Sequence, residues 1–404
     1  MKIGILREGK IPHDKRVAFT PDQCLMITST LPNVEVLAQP SDWRCYTNKE
    51  YIDKGVKLQE NLNDCDLLIG IKEVQKPELI AGKKYMFFSH TIKKQPHNKE
   101  LLQTILKKNI QLIDYECLTD EEFNRIIGFG YYAGIVGAYN GILGYGKKYK
   151  LYDLKPAHLC YDKQELKEEL KKVNLTNIKI IVTGNGRVAN GAIELLGALN
   201  IRRITPYEFT HYFYREPTYV QLHSQNYNEK LDGSQWNTHE FYTHPERFRS
   251  TFGKYTRDCD LLIHCSFWDP HAPILFSKED MKAPDFRISV IADVTCDING
   301  SIPSTVKPST IDDKFYGYNP IIEAIGEPFS HDTITVMAVD NLPCELPRNA
   351  SEDFGKELIE KVLPSVIIND EKGLIERASI TKAGHLMPRF EYLSDYVTQV
   401  SHLL

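Results

Sequence analysis

At 404 residues the chain exceeds the usual size of one domain, and two domains of ordinary size are expected. Its 42% hydrophobic and 25% charged residues are those of a globular protein, while a net charge of −5 and a pI near 6.2 give no general attraction to nucleic acid or to an anionic membrane, leaving small molecules or like subunits as partners. The nine cysteines include no C-x-x-C pair, so the composition points to reduced thiols in a cytoplasmic setting and away from a zinc site or a disulfide framework.

The chain opens with Lys2–Leu6, an apolar run too short for a signal peptide and readable as a first strand. Strand-like runs at Val34–Ala38, Leu67–Ile71, Tyr85–Ser89 and Ile110–Tyr115 alternate with the helix-like segments Asp22–Thr30, Lys49–Lys54 and Asn98–Lys107. Such alternation predicts parallel β-α-β units with right-handed crossovers. Ligands of an open parallel sheet bind beyond the carboxyl ends of its strands, and those ends carry Arg7 and Glu8, Lys72 and Glu73, His90, and Glu116. Each alone reads as an ordinary loop residue; together they form a candidate polar cleft. Two further pieces belong with it. Arg16 lies in the loop before a Thr20-Pro21 helix start and is suited to clamp a carboxylate bidentately. Arg125 precedes a glycine-rich stretch whose small residues Gly134, Gly137, Ala138 and Gly141 recur at helical spacing. That stretch, Tyr131 to Tyr145, is about 15 residues against the ~20 needed to span a bilayer, and it predicts a buried helix leading from the first domain to the second.

After a charged run at Asp162–Lys172, readable as a solvated surface helix, the β-branched run Ile178–Thr183 passes directly into Gly184-Asn185-Gly186-Arg187-Val188-Ala189-Asn190-Gly191, and Ala192–Leu199 continues at helical spacing. Strand, glycine turn and helix in this order predict a dinucleotide site: glycine lets the backbone approach a pyrophosphate, and the helix N-terminus offers free N–H groups and a positive dipole end. Glu208 stands about 20 positions beyond Gly186, where an acidic residue would meet a ribose hydroxyl.

From Tyr207 to Arg257 the pattern fades into a Tyr- and His-rich insertion whose scattered histidines, His211, His223, His239 and His244, lack metal-ligand spacing. No metal is expected there; the insertion is expected to shape a ligand entrance or a subunit interface. Strand signals resume at Cys259–Cys265, Arg287–Asp293 and Thr333–Asp340, continuing a second parallel sheet. Asp293 and Asp297 fall just past a carboxyl end, on the nucleotide side; each also reads as an ordinary turn residue. A helix to about Lys361 follows Pro347, and the remaining residues are too few for a third domain.

Taken together, Lys15–Pro21, Gly70–Glu73, Phe87–Lys93, Ile113–Glu116, Gly128–Gly134, His244–Phe248, Asp293–Asp297 and Asp340–Glu352 resemble the lysine-forming saccharopine dehydrogenases. They resemble still more closely the lysine–ketoglutarate reductase domain of the bifunctional aminoadipic semialdehyde synthases, which shares the alanine dehydrogenase and transhydrogenase architecture. The resemblance implies an α/β fold of two Rossmann-like domains with parallel sheets flanking a cleft. One is a discontinuous substrate domain, residues 1–133 with 345–404; the other is a dinucleotide-binding domain, 134–344. It implies an oxidoreductase that joins the ε-amine of lysine to the ketone of 2-oxoglutarate and reduces the imine to saccharopine. Lys72 and His90 would be the acid–base pair, with Arg16, Glu73, Glu116, Arg125 and Phe129 lining the substrate pocket. Asp340 would lie near both substrate and nicotinamide, and Gly184, Gly186, Arg187, Val188, Glu208 and Asp297 would hold the cofactor.

The signals on the cofactor conflict: Glu208 would repel a 2′-phosphate, whereas Arg202 and Arg203 would attract one if they pointed inward. NAD is the expectation, with NADP the alternative. Two other readings stay open, an alanine dehydrogenase-like amino-acid dehydrogenase and a non-catalytic nucleotide-binding regulatory protein. Direction of reaction and oligomeric state are not written in the sequence.

Overall fold

A computed structural model describes residues 1–398, and the chain divides into two compact units: Met1–Phe129 with the segment from Pro347 onward, and Gly130–Leu346. In the first unit, β1 (Lys2–Ile5), β2 (Glu35–Ala38), β3 (Lys57–Leu58), β4 (Leu67–Ile69), β5 (Lys84–Phe87) and β6 (Gln111–Asp114) pair in parallel in the order β3-β2-β1-β4-β5-β6. The strands are apolar along most of their length because helices cover both faces: Ile3, Leu67, Leu68, Ile69, Phe87 and Leu112 are fully buried. Strand order reverses between β1 and β4. In a doubly wound sheet that switch point is where loops diverge and leave a crevice.

The second unit begins with α1 (Gly130–Tyr149), which lies wholly within it. The glycine stripe of α1 packs on α2 (Arg187–Ala198), which follows β7 (Lys179–Thr183) and its glycine turn. The two helices meet backbone to backbone: a Cβ on Gly134 would fall 1.8 Å from the Val188 carbonyl oxygen, and one on Gly191 would fall 1.9 Å from that of Tyr131. The sheet comprises β7, β8 (Arg202–Ile204), β9 (Thr218–Leu222), β12 (Leu261–His264), β13 (Val290–Asp293), β14 (Tyr316–Asn319), β15 (Ala324–Gly326) and β16 (Ile334–Met337). Between β9 and β12 a separate two-stranded ribbon, β10 (Asn228–Lys230) with β11 (Phe248–Ser250), is built from the insertion. The order is β15-β14-β16-β13-β12-β7-β9-β8, parallel except for β14 and β15. Its switch point lies between β7 and β12.

The chain then returns to the first unit with α3 (Pro347–Lys361), whose Ser351 hydroxyl accepts the Val17 N–H at 2.9 Å, and closes the first sheet with β17 (Ser379–Lys382) antiparallel to β6 and β18 (His385–Leu386). Among the described residues no helix is long and apolar enough to cross a membrane, and no group of His, Cys, Asp and Glu could hold a metal ion.

Candidate functional site

In the first unit the chemistry collects around the β1/β4 switch point. Beyond Ile69 the chain continues as Gly70-Ile71-Lys72-Glu73, and the Glu8 carboxylate, just past β1, accepts the N–H groups of Ile71 at 2.6 Å and of Lys72 at 2.9 Å. The next residue, Glu73, receives His90 Nδ1 on Oε1 at 2.5 Å and Lys10 Nζ on Oε2 at 3.1 Å. Burial acts to raise the Glu73 pKa, but the hydrogen bond and charge of His90 outweigh it and bring the carboxyl down to about 2. A depressed carboxylate stabilises the fold above its unfolded pKa. This contribution is complete above the ordinary carboxylate range and is lost as pH falls toward 2.

His90 is held in an unusual backbone conformation, left-handed with φ +54, at the last residue between β5 and a short 3-10 turn, Thr91–Lys93. Its neighbours fix it there. The Ser89 N–H and hydroxyl both bond Asp114, a buried carboxylate at the end of β6, and the Ser89 hydroxyl also bonds that of Thr91. With Nδ1 given to Glu73 and no hydrogen bond on Nε2 among the described residues, the ring presents Nε2 as its exchangeable nitrogen.

The same Asp114 accepts the Glu116 N–H at 2.7 Å, so one buried side chain sets both the His90 loop and the Glu116 turn. Glu116 Oε1 lies 3.1 Å from Arg125 and 3.3 Å from Lys93, while its Oε2 is buried and has no partner among the described residues. Arg16 departs from expectation. It is 3% exposed, and its fork is taken by Asp14, Nε to Oδ1 at 2.9 Å and Nη2 to Oδ2 at 2.6 Å, so it does not present an open carboxylate clamp. The guanidinium also sits 4.1 Å over the ring of Phe129, which stacks on Phe354 and neighbours Phe88, which in turn stacks beside His90. The structure thus brings Glu73 and His90 into contact, with Lys72 the residue before Glu73 in the chain, and sets Arg16 and Phe129 on one aromatic wall with His90. Lys10, Asp14, Lys93, Phe88 and Phe354 join them without having been expected as site residues. Lys93 and Phe88 flank His90 in the chain; Phe354 arrives from α3 and has no local signal.

In the second unit, Gly184 takes φ +91 and approaches the Cys265 carbonyl so closely that a Cβ would come 3.0 Å from its oxygen. Gly186 caps the 12-residue α2 without a side-chain bond, and nothing lies within 4 Å of where its Cβ would be, which leaves room for an anion to approach the helix N-terminus. Gly184, Gly186, Arg187 and Val188 line a cavity of about 370 Å³ with Cys265, Val294 and two insertion residues, Ser224 and Tyr242. These features fit a dinucleotide pyrophosphate. Asp297 and Asp340 both lie near the Cys296 thiol, which burial, then Asp293, Asp340 and Asp297, push up to about 12. Burial and Asp293 likewise raise the Asp297 carboxyl.

Glu208 is placed differently from expectation. The strand beside β7 is β9, not β8, so the turn that faces the ribose end of such a site is His223-Ser224. Glu208 instead follows the edge strand and closes a capping box with Thr205, accepting its N–H at 2.8 Å and the Tyr214 hydroxyl at 3.2 Å. Of the two arginines, Arg202 pairs with Glu216 at 3.0 Å. Arg203 holds no carboxylate among the described residues; it donates to Gln221 Oε1 at 2.7 Å, and Gln221 Nε2 donates to the Gly184 carbonyl at 2.9 Å.

Residues 4–136 match the model of the alanine dehydrogenase/PNT N-terminal domain family. An alpha-aminoadipic semialdehyde synthase of Arabidopsis thaliana is 28% identical over an alignment covering 97% of this chain and 41% of that protein, so the chain spans less than half of that relative's length. A lysine-forming, NAD(+)-type saccharopine dehydrogenase of Emericella nidulans is 25% identical, covering 90% of this chain and 91% of the relative. An L-alanine dehydrogenase of known structure superposes with a TM-score of 0.65 over 98% of this chain and 100% of its own, at 16% identity, which shows the fold alone.

Proposed function

We propose, for a chain whose residues 4–136 match the alanine dehydrogenase/PNT N-terminal domain and which is similar over nearly its whole length to saccharopine dehydrogenases and aminoadipic semialdehyde synthases, that it interconverts saccharopine with lysine and 2-oxoglutarate. The observation that carries the reading is the Glu73–His90 pair one residue beyond Lys72 at the switch point of a parallel sheet. In the reductive direction the lysine ε-amine adds to the ketone carbon, the carbinolamine loses water, and the imine carbon accepts hydride. His90 Nε2 suits the proton exchanges at nitrogen and oxygen, because Glu73 on Nδ1 orients the ring and leaves Nε2 for the substrate. The Lys72 ammonium is the second proton donor, to the departing hydroxyl. The buried, unpartnered Oε2 of Glu116 is an acceptor for a substrate ammonium, and Lys93 and Arg125 beside it match substrate carboxylates. Gly184, Gly186 and the first turn of α2 would hold the pyrophosphate of a nicotinamide dinucleotide, which would supply or accept the hydride.

A panel of amines and 2-oxo acids, followed by loss of reduced-nicotinamide absorbance, tests this. Lysine with 2-oxoglutarate is expected to turn over fastest. Faster reaction of ammonia with pyruvate would replace the reading with an alanine dehydrogenase-like one, and binding without turnover of any pair would leave a nucleotide-binding regulator.

The placement of Glu208 removes the ground for preferring NAD, and the acid-free Arg203 beside the glycine turn supports a cofactor with a 2′-phosphate. Tryptophan-fluorescence titration is expected to show NADPH binding about tenfold more tightly than NADH, the scale of one charge-assisted pair, with Arg203→Ala abolishing the difference and Arg202→Ala preserving it. Tighter binding of NADH would return the assignment to NAD.

A further inference from the structure

A carboxylate that holds two consecutive backbone N–H groups of another strand is an expensive arrangement to bury, and Glu8 is such a carboxylate, 7% exposed. The last backbone bond of the β1–β4 ladder is Leu6 N–H to the Ile69 carbonyl at 2.9 Å. Beyond it the strand ends part at the switch point, and the Glu8 side chain replaces the ladder by binding the next residues of the β4 chain, Ile71 and Lys72. The fit is close on the other sides too. A Cβ on Gly70 would come 3.2 Å from Glu8 Oε1, and the Glu8 carbonyl accepts Trp43 Nε1 at 3.0 Å.

We infer that Glu8 is a positioning residue for the acid–base machinery: by clamping the Ile71–Lys72 backbone it sets where Lys72 projects and where Glu73, the next residue, meets His90. The inference rests on the proposed roles of Lys72 and His90. Glu8 touches no substrate; it acts through the peptide that carries them.

The charged and titratable groups around Glu8 are the Asp14–Arg16 pair from the following loop, Lys72 beyond β4 and the Tyr115 hydroxyl beyond β6. Burial first, then the Asp14 charge, raise the Glu8 carboxyl to about 8, against the two N–H donors and Arg16. The clamp is therefore half ionised near pH 8 and fully charged only above it, where a carboxylate accepts from both N–H groups more strongly than a carboxyl can. An amide is a poorer substitute. In Glu8→Gln one N–H keeps an oxygen acceptor, while the other faces an NH₂ group and loses its partner.

The test is a double-mutant cycle in the full chain with lysine and 2-oxoglutarate as substrates. Glu8→Gln is expected to lower kcat by about tenfold to a hundredfold, the scale of a small misplacement of catalytic groups. The KM for each substrate and the fluorescence-measured dinucleotide affinity should stay at their wild-type values, and the limb of the kcat profile near pH 8 should disappear. In a Lys72→Met background the same substitution should cost several-fold less than in the wild type, because one of the two groups it positions is gone. Gly70→Ala, which crowds Glu8 Oε1 without removing it, should give a smaller loss of the same kind and serves if Glu8→Gln does not fold.

Wild-type kcat and pH profile in Glu8→Gln would overturn the inference, as would losses that multiply in the double variant, or a fall in thermal stability with no change in kcat. Wild-type turnover by Lys72→Met alone would instead overturn the catalytic reading beneath it.

Discussion

Replacing His90 by Asn is expected to lower kcat for lysine and 2-oxoglutarate by about two to four orders of magnitude, the range of a positioned general acid–base group, with little change in the KM of either substrate. Asn keeps a polar group near Glu73 but supplies no ring nitrogen that can take up and release a proton. Lys72→Met should fall by a comparable factor, since Met matches the length of the stem and removes the ammonium. Glu73→Gln separates orientation from acidity. The ring stays in place, but Gln offers Nδ1 a neutral acceptor instead of a carboxylate. The kcat of this variant should therefore fall, by less than in His90→Asn. Steady-state rates for the three variants check these outcomes together. Turnover at the wild-type rate by both His90→Asn and Lys72→Met would remove the acid–base assignment.

The parts of this site that could be read from the chain lie where short apolar strands stop. A strand buried on both faces is a nearly continuous run of Val, Ile, Leu and Phe, its end is marked by the first polar residue, and in a parallel sheet that end faces the ligand. Lys72, Glu73, His90 and Glu116 were legible for this reason, and so was the glycine turn after Thr183. Side-chain pairing was not. Arg16 and Asp14 are two residues apart, and only burial of their loop decides that the guanidinium turns back on its neighbour rather than outward to a substrate. Strand adjacency was not legible either. The run Thr218–Leu222 lies in a Tyr- and His-rich stretch with weak periodicity, yet it pairs with β7 along its whole length and displaces β8 to the edge, and Glu208 with it. Phe354 reaches the aromatic wall by a return of the chain from far along the sequence, which no local pattern announces.

Alanine at Gly191 or at Gly134 is expected to destabilise the second unit by about 3 kcal/mol or more, although Gly→Ala inside a helix ordinarily stabilises by up to ~1 kcal/mol. The sign reverses because the obstacle is backbone. A Cβ on Gly191 would sit 1.9 Å from the Tyr131 carbonyl oxygen, and one on Gly134 would sit 1.8 Å from that of Val188, so no side-chain rotation can make room and α1 and α2 must separate. Gly197 provides the internal control. It lies in the same α2 with nothing within 4 Å of its Cβ position, and alanine there should raise stability by about 0.5–1 kcal/mol. Thermal melts of the three variants measure the contrast, and equal effects at Gly191 and Gly197 would refute it. The contrast bears on function as well as on folding. Val188, whose carbonyl meets Gly134, lies in the first turn of α2 and lines the proposed cofactor cavity, so an α1–α2 pair forced apart should also weaken dinucleotide binding in whatever fraction remains folded.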